Sequence, residues 1–295
     1  MKNAMLIVNP SSGGEKAKSY QEKAMKKLKA YFDSVDLKLT EKEGDAVQFS
    51  KQAAKEQYHS IFVMGGDGTV NEGINGIAEQ AHRPHFGFFP LGTVNDLARV
   101  LKMPLDPEEA ISKMSFEETS DLDIGRVNEH YFMNVIAIGT IPESVNDVDP
   151  NEKTKFGKLA YFISGFKNMV NNEAYHFQVD IDGKKQEIKT STILIGLTNS
   201  IGGFEQLIPE AKVDDGKLHF VYLKDQTFMD TVKAIPSLVT GVYDSDQNVS
   251  YHVFEKASIS TDQKGLTINV DGDEGDELPI TVSVLPSHLT IYTCH

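Results

Sequence analysis

The pattern of apolar and polar residues changes near residue 125. Before that point, short apolar runs alternate with segments of helical periodicity at 16–32 and 46–57; the runs read "AMLIVN", "SIFVMGG" and "HFGFFP". Strands that are buried on both faces read as continuous apolar runs, and their alternation with helices is typical of βαβ units. We therefore predict a doubly wound α/β domain over residues 1–124.

In the second half of the chain most segments are strand-like, among them "YFMNVIAIG", "STILIGLTN", "KLHFVYLK", "GLTINVDGD" and "ITVSVL". In "VDIDGKKQEI" the alternation of apolar and polar residues turns at Asp182-Gly183, which predicts a β-hairpin. These patterns indicate a second, β-rich domain over residues 125–285, most simply a β-sandwich.

Three further segments complete the predicted architecture. Residues 158–171 and 227–243 have helical periodicity within the β-rich half. The last strand-like stretch, "HLTIYTC", lies beyond the final predicted turn. We expect this strand, within 286–295, to return to the first domain.

Composition narrows the class of protein. The chain has 295 residues, 40% of them hydrophobic and 24% charged, which is ordinary for a globular protein of about two domains. A formal net charge of −14 argues against nucleic acid as a partner, because neutralising phosphates requires a basic surface. The single cysteine, Cys294, cannot form an intrachain disulfide, and no apolar run approaches the ~20 residues that span a bilayer. We expect a cytoplasmic protein without a transmembrane segment.

The stretch "FVMGGDGTVNEG" at 62–73 places glycines and an aspartate directly after a predicted strand. Consecutive glycines let backbone amides turn toward a ligand, and the N-terminus of the helix that follows attracts anions. Asp67 would repel a phosphate directly, so it acts either through Mg²⁺ or by accepting hydrogen bonds that shape the turn. By itself, the stretch is equally consistent with an ordinary Asp-Gly turn that binds nothing.

Two other predicted strands end in similar polar, glycine-bearing turns. "IVNPSSGG" follows the first strand, and "FFPLGTVNDLAR", with Asn95 and Asp96, follows another. In an open parallel sheet the carboxyl ends of the strands form the crevice where ligands bind. The chain contains neither the dinucleotide-binding G-x-G-x-x-G pattern nor the G-x-x-x-x-G-K-[ST] phosphate loop, so the Rossmann alternative is weak.

The sequence resembles the diacylglycerol kinase catalytic-domain family, relatives of the sphingosine kinases, along nearly the whole chain. Eight motifs in order carry the resemblance: "NPSSGG", "TEKEGDA", "GGDGTVNE", "PLGTVNDLAR", "DIGRV", "FGKLAY", "PEAKVDDGKL" and "VDGDEGDELP". The resemblance implies an α/β nucleotide-binding domain packed on a β-sandwich, with ATP and Mg²⁺ in the cleft between them. It implies a soluble kinase that phosphorylates a lipid hydroxyl, most simply that of diacylglycerol, to give phosphatidic acid.

The resemblance also implies roles for individual residues. Those matching the family's nucleotide-binding positions are Asn9, Ser11, Ser12, Gly13, Gly14, Thr40, Gly65, Gly66, Asp67, Gly68, Thr69, Asn71, Glu72, Gly92 and Thr93. Asp215 matches a ligand of a structural Mg²⁺, completed by the backbone carbonyls of Lys212 and Lys217, and Asp123 matches an acid linked to that metal through water. Without the resemblance, Asp215 would be read as part of a plain turn between strands.

"VDGDEGDELP" supplies the candidate general base. The family pattern here is Asp-Gly-Glu, so Asp273 stands at the position of the glutamate, and Asp271 and Asp67 complete the candidate catalytic set. Aspartate is one methylene shorter than glutamate, so a less active member of the family is one expectation, because a base must reach the hydroxyl proton. Glu274 should point to the opposite face of an extended chain. The alternative interpretation is an exposed acidic hairpin tip.

Val94 is a second departure, because the family often has glycine there. If this position requires a positive φ, a β-branched residue would be strained, unless the loop has a different shape. The two departures keep open a non-catalytic lipid or nucleotide sensor with this fold. An NAD kinase-like enzyme is the other alternative, since that family shares a G-G-D-G-type turn, a two-domain plan and the use of ATP.

A lipid kinase must meet its acceptor at the membrane surface. "FGKLAYFISGFKNMV", with Lys155, Lys158 and Lys167, could form an amphipathic helix that contacts the bilayer, although such helices more often belong to a core. The sequence allows a homodimer without specifying the oligomeric state.

Overall fold

The computed structural model describes residues 2–14, 17–139, 174–200, 208, 210–224 and 249–294. The predicted helices over 158–171 and 227–243, including the candidate membrane helix, lie outside these residues. Within them, no helix is both long enough and apolar enough to cross a bilayer.

Strands and helices alternate in the first half of the chain. Their bounds are β1 (Asn3–Val8), α1 (Ala17–Lys29), β2 (Ser34–Leu39), α2 (Asp45–Lys55), β3 (Ser60–Gly65), α3 (Asp67–Ile77), β4 (His85–Pro90), α4 (Asp96–Val100) and α5 (Pro107–Lys113). The two segments with helical periodicity correspond to α1 and α2.

The remaining described elements are strands. Their bounds are β5 (Met114–Val127), β6 (His130–Phe132), β7 (Val135–Gly139), β8 (Tyr175–Ile181), β9 (Lys184–Thr190), β10 (Thr192–Gly196), β11 (Leu218–Leu223), β12 (Val249–Phe254), β13 (Lys256–Thr261), β14 (Thr267–Val270), β15 (Asp273–Glu277) and β16 (Ile280–Cys294).

The N-terminal half is a parallel sheet in the order β2-β1-β3-β4. All six residues of β3 are buried, which explains its continuous apolar run, because helices cover both faces of such a sheet. The chain crosses from β2 past β1 to β3, so the sheet is doubly wound, as predicted. Strands β1, β3 and β4 deliver their carboxyl ends to one edge.

The second half is a β-sandwich, which confirms the predicted fold class. One layer is an antiparallel sheet in the order β12-β11-β10-β7-β14-β15; the other, formed by β16, β13, β8 and β9, continues the sheet of the first half. The apolar core between the layers includes Phe177, Phe220 and Val282. The hairpin at Asp182-Gly183 is confirmed, because both turn residues have positive φ and join β8 to β9.

Two long strands join the halves. β5 pairs with β16 in antiparallel fashion, and β16 pairs in parallel with β4 through Ile291 and Phe86. The register of β16 is interrupted between Leu285 and Leu289, so "ITVSVL" and "HLTIYTC" are two parts of one strand. The predicted divisions of the chain, after 124 and after 285, therefore fall inside strands that the two halves share.

Candidate active site

The three glycine-bearing turns lie side by side at the carboxyl edge of the parallel sheet. The Asn9 side-chain amide donates to the Thr69 hydroxyl over 3.2 Å, joining the turn after β1 to the first turn of α3. A methyl group on Gly92 would come within 2.9 Å of the Gly66 Cα, so the turns after β3 and β4 are in backbone contact. Only glycine permits this approach.

Asp67 opens α3 and shapes the neighbouring turn. Its two carboxylate oxygens accept the backbone N–H groups of Asn95 and Asp96, each over 2.8 Å. Burial raises the pKa of Asp67, and the nearby Asp96 charge adds to this, whereas the two amide bonds oppose it. These two bonds show that the Asp67 carboxylate holds the loop, and its action through Mg²⁺ stays a prediction.

The turn after β4 removes the expected strain at Val94. The residue with left-handed backbone is Asn95, at φ 54°, and Val94 does not share that conformation. The Asn95 side chain accepts the Gly92 N–H over 2.9 Å and donates to the Gly92 carbonyl over 2.8 Å. Asparagine tolerates left-handed backbone better than a β-branched residue does, so the turn accommodates valine.

Glu72 connects α3 to the start of α2. Its carboxylate accepts the N–H of Gly44 over 3.0 Å and that of Ala46 over 3.1 Å, which satisfies donors at the N-terminus of α2. Thr40 lies just before this turn, and its N–H donates to the Val8 carbonyl over 2.9 Å. Glu72 thus holds the "TEKEGDA" segment beside the N-terminal half of α3.

The nucleotide-binding candidates at the carboxyl edge of the parallel sheet differ in their exposure to solvent. The exposed ones are Ser11, Gly13, Gly14, Gly68 and Thr93. The partly buried ones are Asn9, Ser12, Thr40, Gly66, Asp67, Thr69, Asn71, Glu72 and Gly92, and Gly65 is buried. Flexible glycine backbone and the N-terminus of α3 at one edge form a surface suited to phosphate oxygens.

Asp271 anchors the hairpin between β14 and β15. Its side chain accepts three backbone N–H groups, from Met133 over 2.8 Å, Asn134 over 2.9 Å and Val135 over 2.8 Å. Burial raises the pKa of Asp271 to about 6 despite these bonds, and the Asp96 charge contributes. Both carboxylate oxygens are engaged with the backbone, so Asp271 holds the hairpin in place.

Asp273 is the first residue of β15, and it lines the same cleft as residues of the first two turns of α3. The cleft has a volume of about 670 Å³, and its lining includes Gly68, Asn71, Glu72 and Asp273. Asp273 is exposed, as a group that receives a proton from a bound substrate must be. Glu274 does not line the cleft.

Asp96 is a residue whose importance the sequence motif did not reveal. Only 8% of it is exposed, its Oδ1 accepts the Ser200 hydroxyl over 2.6 Å, and its charge raises the pKa of both Asp67 and Asp271. It therefore lies near the glycine turn and the β14–β15 hairpin at once. Asp96 was visible in the "GTVNDLAR" motif, but neither its burial nor its neighbours could be predicted from the sequence.

A second acidic cluster surrounds the "KVDDGKL" turn. Asp123 is fully buried, and its carboxylate accepts the N–H groups of Gly216 and Ser287, each over 2.6 Å. Burial raises the pKa of Asp123, and the charges of Asp215 and Asp214 raise it further.

In the same turn, Asp215 accepts the N–H of Lys212 over 3.0 Å and that of Lys217 over 2.9 Å. His219 Nε2 lies 3.4 Å from Oδ2 of Asp215, the oxygen that also accepts the Lys212 N–H. The amides of both lysine positions thus point to Asp215; the predicted roles of their carbonyls stay a prediction.

The donor set of this cluster suits Mg²⁺, which binds carboxylate and carbonyl oxygens and keeps several waters. The carboxylate charges of Asp214 and Asp215, which raise the pKa of Asp123, would be offset by a bound cation. Within the described ranges, no three His, Cys, Asp or Glu side chains group closely enough to hold a metal alone. A Mg²⁺ here would depend on backbone carbonyls and water, as the resemblance implies.

An α/β half with phosphate-type turns, and a β-sandwich half whose Asp273 lines the same cleft as Gly68, are the features of a kinase-like phosphotransferase. Two family models match the chain: "Diacylglycerol kinase catalytic domain" over residues 3–127 and "YegS C-terminal NAD kinase beta sandwich-like domain" over residues 135–293.

Individual relatives agree with these models. A "Putative lipid kinase" of Streptococcus pneumoniae serotype 4 (strain ATCC BAA-334 / TIGR4) is 37% identical over 99% of this chain and 98% of its own length. A "Diacylglycerol kinase" of Staphylococcus carnosus (strain TM300) is 34% identical over 99% and 95%. The crystal structure of "a putative diacylglycerol kinase from Bacillus anthracis str. Sterne" superimposes with a TM-score of 0.85 at 27% identity, over 99% of this chain and 95% of that one. The chain belongs to the diacylglycerol kinase family of lipid kinases, which confirms the resemblance.

Proposed function

We propose that this enzyme transfers the γ-phosphoryl group of ATP to the hydroxyl of a lipid in a Mg²⁺-dependent reaction. Diacylglycerol is the acceptor that best fits the names of the relatives, and the product would be phosphatidic acid. The observation that carries the proposal is the shared cleft, which Asp273 lines together with Gly68, Asn71 and Glu72 of α3.

The glycine turns support the nucleotide half of the proposal. We place the ATP phosphates along Asn9, Gly66, Gly68 and Thr93, because these turns adjoin the N-terminus of α3 and leave backbone amides at one edge. Asp67, held by the amides of the turn after β4, fixes the relative positions of two of the three turns. Such preorganisation is the main contribution of a protein to phosphoryl transfer.

Asp273 would accept the proton. In this step the lipid hydroxyl oxygen forms a bond to the γ-phosphorus, the bond from that phosphorus to its leaving oxygen breaks, and ADP departs with the electron pair. The hydroxyl proton passes to the Asp273 carboxylate. Bound Mg²⁺ would neutralise phosphate charge, and Asp123 and Asp215 would hold the structural ion.

The acceptor would be presented at a membrane surface, since an acylated glycerol resides there. The α/β half over 1–124, together with 286–295, would bind the nucleotide, and the sandwich half over 125–285 would supply Asp273. β5 and β16 run through both halves, so the two parts would keep a fixed relation during turnover.

The experiment is to incubate the purified protein with radiolabelled ATP, Mg²⁺ and mixed micelles of a panel of lipids, with NAD in a separate reaction. We expect label in a lipid phosphate, and loss of labelling with Asp273→Asn but not with the matched neighbour Glu274→Gln. Labelled NADP without labelled lipid would favour the NAD kinase-like alternative. ATP binding without transfer to any acceptor would favour a sensor.

A further inference from the structure

One face of α3 connects the glycine turn to the β-sandwich half. Asn71 and Asn75 are four residues apart on α3, so they lie on the same side of the helix, and Glu79 follows two residues after α3 ends at Ile77. Asn71 belongs to the glycine turn motif and lines the cleft, and Asn75 lines it too. Asn75 and Glu79 both bond to the β5–β6 hairpin.

Asn75 pairs with the backbone of Tyr131 as a neighbouring strand would. Its Oδ1 accepts the Tyr131 N–H over 3.1 Å, and its Nδ2 donates to the Tyr131 carbonyl over 3.1 Å. The same Nδ2 donates to the Asn71 carbonyl over 3.0 Å and to the Asn71 side-chain oxygen over 2.8 Å. Among the described strands, the three-residue β6 pairs with β5 alone, so Asn75 satisfies backbone groups on its other edge.

Glu79, two residues beyond the end of α3, adds a second connection. The Tyr131 hydroxyl donates to Glu79 Oε2 over 2.6 Å, and Arg126 Nη1 lies 3.3 Å from the same oxygen. Glu79 and Arg126 are exposed or half-buried, so this ion pair contributes little by itself. Asn75, which bonds to main-chain atoms, sets the position of β6 more directly.

The connection continues from β6 to the candidate base. Two residues after Tyr131, the N–H groups of Met133, Asn134 and Val135 converge on the Asp271 carboxylate, and the Asp271 N–H returns to the Val135 carbonyl over 2.9 Å. Asp271 is the first residue of the two-residue turn that leads into Asp273. Hydrogen bonds thus run from α3 through β6 to the hairpin that carries the base.

We propose that Asn75 is a positioning residue, which sets the placement of the β14–β15 hairpin, and so of Asp273, relative to the glycine turn. The part of this inference that concerns turnover rests on the proposed kinase function; the structural part does not. A misplacement of about 1 Å in a positioned reaction can lower the rate by about 10²-fold, so the bonds of one asparagine are sufficient to matter.

Two variants test the role. Asn75→Ala removes every bond of the side chain. Asn75→Asp keeps the volume of the side chain and one acceptor for the Tyr131 N–H. It replaces the Nδ2 donor by a carboxylate oxygen, which cannot bond to the Tyr131 and Asn71 oxygens and is repelled by them. Asn3→Ala is the matched control, because Asn3 is another partly buried asparagine that accepts a backbone N–H, from His59 over 3.0 Å, at the start of β1.

Two measurements are made on the three variants and the wild type, after melting curves confirm folding. Hydrogen exchange of the amides of 131–135 and of Asp271 reports on the connection itself. In both Asn75 variants we expect these amides to exchange about tenfold faster or more, and Asn3→Ala to match wild type. Steady-state kinetics should show kcat lower by about 10- to 10²-fold in both Asn75 variants, with KM for ATP changed by less than about threefold.

Unchanged exchange in Asn75→Ala, or a kcat for Asn75→Asp within about twofold of wild type, would overturn the proposal. The same kcat loss in Asn3→Ala would reduce the effect to general destabilisation and would overturn it too. If the wild type phosphorylates no acceptor, the proposed kinase function fails, while the exchange of the hairpin amides still decides whether Asn75 positions it.

Discussion

Asp271 sets two physical effects against each other, and a pH titration can determine which one dominates. Three backbone N–H groups stabilise its ionised form, whereas burial and the neighbouring Asp96 charge stabilise the protonated form. Burial is the larger effect, and it raises the pKa of Asp271 from 3.8 to about 6. The perturbation that isolates this group is Asp271→Asn, which has the same shape and cannot ionise.

The sign of the effect follows from proton linkage. The folded protein binds this proton more tightly than the unfolded chain, so the contribution of Asp271 to stability is complete below pH 3.8 and is lost as the pH rises through about 6. That difference corresponds to about 3 kcal/mol, at about 1.4 kcal/mol for each tenfold change in proton affinity. The free energy of unfolding of wild type minus that of the variant should fall by this amount, mostly between about pH 4 and pH 7.

Urea unfolding followed by circular dichroism, at a series of pH values, measures this difference. The asparagine also loses hydrogen bonds to the backbone, but that cost is the same at every pH. The test therefore depends only on how the stability difference changes with pH. Asp182→Asn is the control, because Asp182 is an exposed turn residue whose carboxylate accepts the amides of Glu255 and Lys256. A difference for Asp271 that rises with pH would show that the three amides dominate, and a flat one that the two effects cancel; either result refutes the reasoning.

Three further substitutions probe the site. Asp67→Asn keeps one acceptor for the turn after β4, so we expect the melting temperature to fall by only a few degrees. The kcat/KM for lipid phosphorylation should fall by about 10²–10³-fold. Normal turnover would show that Asp67 has a structural role only. Asp215→Ala should abolish the rise in melting temperature that Mg²⁺ gives over chelator, and an undiminished rise would place the metal elsewhere. Asp273→Glu adds one methylene of reach and should retain or raise turnover in the micelle assay, whereas a rate as low as that of Asp273→Asn would argue against its role as base.

The sequence by itself determined the elements and their order. Buried parallel strands must be apolar throughout, and covering helices must be amphipathic, so the local pattern is sufficient to predict the doubly wound half. The hairpin at Asp182-Gly183 is equally local, because the two turn residues adopt positive φ that aspartate and glycine tolerate. The motifs also placed polar turns after three strands, and parallel strands bring such turns to one edge.

Only the tertiary structure decided what each acidic side chain contacts. The partners of Asp67 lie 28 and 29 residues away, and those of Asp271 lie 136 to 138 residues away, in segments whose approach depends on strand register and packing. Asn75 shows the same limit, since a polar residue four positions after Asn71 is ordinary on a helix until β6 is placed beside it. Local propensity fixes backbone conformation, whereas hydrogen-bond partners across the chain are fixed by the burial of two apolar cores that hold β5 and β16 in register.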